Sequence, residues 1–165
     1  MKHKRFVVAA LAAVAAALVF VVVSTASGHP KPGDHGRGHG HGHGGATIHV
    51  IEHATTDAVT NGSGDQAGNV LTFDNDVFDS ADAKKVGSDQ GYCVRIVVGK
   101  SWECNWTTFL PDGQITVEGP FSDTGKTVLA VTGGTGKYRN ARGEMELKYH
   151  TPTGTEFDFV FHVIG

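Results

Sequence analysis

From Thr47 onward apolar side chains recur at every second position over short stretches, punctuated by turn-forming Gly, Asp, Asn and Pro. A two-residue period puts the apolar groups on one face of an extended chain, so each stretch reads as a strand with one buried face. Eight strands are predicted: Thr47–Thr55, Asn69–Phe78, Tyr92–Val98, Trp102–Phe109, Gln114–Phe121, Thr127–Thr132, Ala141–His150 and Glu156–Ile164. No apolar pattern of helical period persists for ten residues in this region, and the fold class is therefore all-β. Hairpin chemistry at Gly99-Lys100, Pro111-Asp112-Gly113 and Pro152-Thr153-Gly154 pairs neighbours in antiparallel sense. Eight strands so connected predict an up-and-down barrel, whose interior either fills with side chains or holds one small ligand.

The alternation also sorts side chains by face. On the first strand Ile48, Val50, Glu52 and Ala54 lie together, and on the second Leu71, Phe73, Asn75 and Val77 do. Trp102, Cys104, Trp106 and Thr108 share a face of the fourth, and Phe157, Phe159, Phe161 and Val163 make a wholly apolar face on the last. One acid and one amide on otherwise apolar walls suit a cavity for an oily, weakly polar molecule. Its expected lining is Val50, Phe73, Cys93, Trp106, Phe157, Phe159 and Phe161. A one-residue slip in register would turn Glu52 outward instead. Arg95, Arg139, Arg142, Asp74, Asp76 and Asp79 are candidates for a polar mouth.

The N-terminal third differs in kind. Lys2, Lys4 and Arg5 precede an apolar run of 18 residues, Phe6 to Val23, and Ser24-Thr25-Ala26 then offers the small residues of a cleavage site. Residues 1–26 therefore read as an export signal, which makes the protein secreted; left uncut, the run would serve as a membrane anchor for an extracytoplasmic domain. Residues 27–46, rich in Gly and His, lack apolar anchors and read as a disordered tether. Its His35, His39, His41 and His43 are candidate transition-metal ligands, set against the plainer reading of a soluble linker. The folded domain is assigned to residues 47–165.

The net charge of the whole chain is −3, and loss of residues 1–26 removes three basic groups and no acid, leaving 11 basic against 17 acidic residues. Such a surface repels phosphate backbones, which argues against nucleic acid as a partner. Assembly into a homo-oligomer is left open by the sequence.

Between two of the strands lies Ala130–Gly143, A-V-T-G-G-T-G-K-Y-R-N-A-R-G. A phosphate cradle would need four residues between its first glycine and the Gly-Lys pair, then Ser or Thr and a helix. Here Tyr138 follows Lys137 and a strand follows Gly143, so the glycines specify a tight corner.

That segment resembles the A-V-x-G-G-x-G-x-[FY] turn of the allene oxide cyclase and dirigent superfamily. Further pieces follow in the family's order: Phe73-Asp74-Asn75-Asp76-Val77-Phe78-Asp79, Gly91-Tyr92-Cys93-Val94-Arg95-Ile96 and Val117-Glu118-Gly119-Pro120-Phe121. The resemblance spans Thr47 to Gly165 and implies a lipocalin-like barrel that works without a cofactor. It also implies roles for three residues, the buried glutamate at Glu52, the asparagine of the F-x-N segment at Asn75 and the cavity cysteine at Cys93, with Glu52 and Asn75 as the catalytic pair. A carboxylate on an apolar wall stabilises a delocalising cation, which suits ring closure. The chain departs from the family at Ala54, where a second asparagine is expected, and between Thr55 and Asn69, where the family's Ser-Pro loop has no counterpart.

Cys93 and Cys104 are the only cysteines, and they fall on adjacent strands of one hairpin. In an exported protein this pair is expected to form a disulfide, which would deprive Cys93 of any thiol role. Three functions fit these readings. The first is a cofactor-independent barrel that binds a hydrophobic small molecule and cyclises or steers it; the others are a carrier without turnover and a surface scaffold with a metal-binding tether.

Overall fold

The computed structural model describes residues 45–60 and 64–164. The expected export signal and the candidate ligands His35, His39, His41 and His43 lie outside the described residues.

Nine strands follow in order: β1 Ala46–His53, β2 Ala58–Val59, β3 Val70–Asp79, β4 Lys85–Val97, β5 Ser101–Leu110, β6 Gly113–Ser122, β7 Thr127–Gly134, β8 Arg142–Tyr149 and β9 Glu156–Ile164. They neighbour one another in the order β1-β9-β8-β7-β6-β5-β4-β3-β2, and a further β1–β3 pairing closes the ring. Because β2 pairs only with the start of β3, the closed barrel has the eight antiparallel strands expected, with β2 as a two-residue appendage. β4 begins at Lys85, seven residues before the strand predicted from Tyr92. Gly87, Ser88, Gln90 and Gly91 carry no apolar signal there, and pairing with β3 and β5 supplies the strand instead.

The core is the barrel interior. Ile115, Val117, Leu129, Val131, Met145, Phe159 and Phe161 are at most 2 % exposed. Burying a side chain of this kind contributes about 1.5–3 kcal/mol.

The glycine-rich corner between β7 and β8 contains a 3₁₀ turn, Gly136–Tyr138. Gly136 has φ +59°, and a Cβ there would stand 2.4 Å from the Asp112 carbonyl oxygen. Only glycine lets the corner lie against the β5–β6 hairpin this closely. The Lys137 amide donates to the Asp112 carbonyl at 2.9 Å, while its exposed ammonium pairs with the Asp112 carboxylate at 3.3 Å. The lysine thus serves the clasp, in keeping with a structural corner.

Candidate functional site

The site is a consequence of how the ring closes. β1 pairs with β9 along its whole length, but with β3 only where Val50–His53 face Asp79–Asp76. The first half of β3 pairs with β4 and β2, so the chain leaving β1 at His53 passes over a gap in the wall. A cavity opens there, enclosing about 420 Å³ of empty space including its solvent-open mouth.

Five aromatic side chains line it: Phe73, Trp106, Phe121, Phe157 and Phe159. Their rings pack edge to face or tilted, with centroids 6.1 Å apart for Phe73–Trp106, 5.5 Å for Trp106–Phe159 and 5.8 Å for Phe121–Phe157. Gly91 makes room for the indole, because a Cβ at that position would lie 2.3 Å from Trp106 Cβ. Leu71, Leu147 and the Cys93–Cys104 disulfide complete the apolar wall. The two cysteines are direct cross-strand partners, so the hairpin register itself brings the sulfurs together. Cys93 therefore contributes shape and no thiol chemistry.

Two lining side chains are charged or ionisable, Glu52 and Asp57. Glu52 is 6 % exposed and lines the cavity, the inward one of the two orientations the sequence left open. Asn75 binds it in place. One amide nitrogen, Nδ2, donates to Glu52 Oε1 at 2.9 Å and to Asp57 Oδ1 at 3.0 Å. The Asn75 carbonyl oxygen accepts from the Thr55 amide, the Thr56 amide and the Thr56 hydroxyl, each at 3.0 Å. Both ends of the amide are thus spent on holding the 55–57 segment and the two acids. Asn75 is a positioning residue, without a hydrogen left for a ligand or a water.

Behind Glu52 stands Asp89, which is fully buried. No well-aligned hydrogen bond satisfies its carboxyl oxygens; the Glu52 carboxyl faces them, and the Asn75 backbone amide is the one group nearby that favours the ionised form. Two carboxyls in contact form a hydrogen bond only if one keeps its proton. Burial pushes Glu52 up to about 7; the Asn75 amide opposes this and the Asp57 charge adds to it. Burial, then the Glu52 charge, holds Asp89 well above the ordinary carboxyl range as well. The two act as one unit that exchanges its first proton near neutrality.

The structure distributes the sequence-expected residues unevenly. Glu52, Phe73, Cys93, Trp106, Phe157 and Phe159 meet at the cavity, whereas Val50 and Phe161 lie in the packed core outside its lining. The candidate mouth is built differently from expectation. Asp74 and Asp76 sit on the outer face, Asp79 accepts the Ala83 amide in the β3–β4 turn, and Arg139 and Arg142 are exposed elsewhere. Arg95 is buried at the cavity end of the barrel but fully engaged: its Nε lies 2.6 Å from Asp65, its Nη1 2.7 Å from Asp123, and its guanidinium 3.9 Å above the Trp102 ring. Asp57 and Asp89 are additions the sequence reading missed. Counting back by twos from Cys93 through Gly91 reaches Asp89, so alternation carried that signal; Asp57, in a loop, had none.

Among the described residues no group of three or more His, Cys, Asp or Glu is arranged to hold a metal ion.

Solved structures share this architecture. A pyocyanin demethylase is 24 % identical, with a TM-score of 0.58 over 70 % of this chain and 100 % of its own. A pterocarpan synthase dirigent protein is 21 % identical, with a TM-score of 0.60 over 73 % of this chain and 91 % of its own. AbnU, an exo-specific intermolecular Diels-Alderase, is 17 % identical, with a TM-score of 0.60 over 74 % of this chain and 99 % of its own. At these identities the likeness is one of fold. The family described as allene oxide cyclase barrel like domain matches residues 48–161, which takes in the barrel from β1 to β9. By that match, and by the closed barrel itself, the chain belongs to the allene oxide cyclase barrel-like family.

Proposed function

We propose that this protein binds an apolar small molecule in the aromatic cavity and isomerises or cyclises it by proton transfer through Glu52, without a redox cofactor. The observation that carries this reading is the Glu52–Asp89 carboxyl pair. A general acid or base works best with a pKa near the working pH, and burial brings Glu52 to about 7. Glu52 alone of the pair reaches the cavity, so it hands a proton to one ligand atom and recovers one from another. Asp89 holds the shared proton behind it. Net oxidation is zero, as an isomerisation or ring closure requires. Asn75 fixes the direction in which the Glu52 oxygen points. In keeping with the N-terminal apolar run, the barrel is placed outside the cytoplasm, secreted or held by that run.

The test is exchange and conversion in D₂O across a panel of conjugated enones, epoxides and quinone methides, read by mass spectrometry. Deuterium gained at a ligand carbon by wild type, and lost with Glu52→Gln, is the expected result. Ligand binding with neither exchange nor conversion across the panel would leave a carrier and end the enzyme reading.

A further inference from the structure

The polar groups of the cavity all have one sign. Among the described residues its lining holds two carboxyl groups and no Lys, Arg or His, and a third carboxyl, Asp89, backs Glu52. Arg95, the buried cation at that end of the barrel, is already matched by Asp65 and Asp123 and covered by Trp102. An anionic ligand would meet only repulsion. A neutral hydrocarbon would need no acids, and placing them in an apolar wall costs folding free energy. Aromatic faces attract cations through their quadrupoles, and a buried carboxylate beside them adds direct charge attraction.

We infer that the ligand of this cavity is a largely apolar molecule carrying one positive charge, seated with that charge between Glu52 and Asp57 and its body against Trp106 and Phe159. This rests on the reading of the cavity as a ligand site given above, and it narrows the substrate class. The position of the charge follows from Asn75, whose single Nδ2 ties both acids to one side of the mouth. Binding of a cation also favours the ionised form of Glu52. Below neutral pH the site must shed a proton to accept the ligand, and the groups that set this are Glu52, Asp57 and Asp89.

Three probes of one shape separate the possibilities: N-methylquinolinium, neutral 1-methylnaphthalene and anionic 1-naphthoate, each titrated calorimetrically into the full chain. At pH 8 the cation is expected to bind at least about tenfold tighter than the neutral probe, and 1-naphthoate more weakly than both. Lowering the pH to 6 is expected to weaken the cation about tenfold and to leave 1-methylnaphthalene unchanged, given a Glu52 midpoint of about 7. Asp57→Asn, an exposed change, is expected to reduce the cation preference severalfold, and Glu52→Gln to remove most of it. Equal or tighter binding of the neutral probe by wild type overturns the inference. So does a cation preference that survives in the Glu52→Gln, Asp57→Asn double variant, or failure of all three probes to bind at millimolar concentration. Preference for the neutral probe together with Glu52-dependent deuterium exchange would sink the inference and leave the proposed function standing; cation preference without exchange would do the reverse.

Discussion

Glu52 and Asp158 are each 6 % exposed, and they stand on adjacent strands, yet their surroundings drive them in opposite directions. Glu52 looks into the barrel, where burial raises it to about 7 and the nearest ionisable neighbours are other acids. Asp158 looks outward under a cover of basic side chains. Burial pushes it up too, but hydrogen bonds from His49 at 2.7 Å and His150 at 3.2 Å, with the Lys148 charge at 3.7 Å, outweigh that and hold it below the usual range. Glu52 lies deep in the lumen and Asp158 just beneath the surface, so depth and partners together separate two acids of equal exposed area. The exterior acid is a structural ion-pair hub. The interior acid is left poised to move a proton, which is the feature the proposed function rests on.

The largest expected effect concerns turnover. If proton transfer passes through Glu52, Glu52→Gln lowers the rate by about 10²–10⁴-fold, while Asp158→Asn leaves it within a factor of two or so. A steady-state comparison of the two variants on any converted substrate checks this, and equal losses would erase the distinction between the acids.

Next in size is the dependence of stability on pH. Folded Glu52 keeps its proton up to about 7, whereas an ordinary glutamate releases it near 4.5. The folded state thus binds more protons between those values, so stability falls as pH rises from about 4.5 through 7. The loss is of the order of 3 kcal/mol. Glu52→Gln removes it, and urea denaturation at pH 8 is expected to find the variant more stable than wild type, with the two alike near pH 4.

Asp158 carries the opposite sign. Its lowered value contributes stability that is present above 3.8 and is lost as pH falls through the folded value. Asp158→Asn is expected to cost about 1 kcal/mol at pH 7 and to lose its effect in strong acid, as thermal melts across that range would show. Smallest is Lys148→Ala. The ammonium is half exposed and 3.7 Å from Asp158, so a change of only a few tenths of a kcal/mol is expected in the same melts.

Much of this contrast was legible in the chain. Alternation grouped Glu52 with Val50 on one face of β1 without deciding whether that face turns inward, and it grouped Phe157, Phe159 and Phe161 on one face of β9, all of which are buried. It failed where burial is not apolar. The polar, glycine-rich start of β4 hid Asp89, although its register opposite Asn75 and Thr108 puts it inside. The engagement of Asn75 depends on a loop crossing the mouth, and no local pattern encodes that crossing. Nor does one encode the exterior hub, since His49 and Asp158 come from β1 and β9 and His150 from the turn after β8.

The central claim is that the Glu52–Asp89 pair gives up its first proton near neutral pH, from Glu52. A ¹³C NMR titration of the side-chain carboxyl carbons, with Glu52→Gln to assign the signal, measures it without any ligand. The expected result is a Glu52 carbon that titrates with a midpoint near 7 and an Asp89 carbon that titrates well above the ordinary carboxyl range; a Glu52 midpoint near the ordinary 4.5 would contradict it.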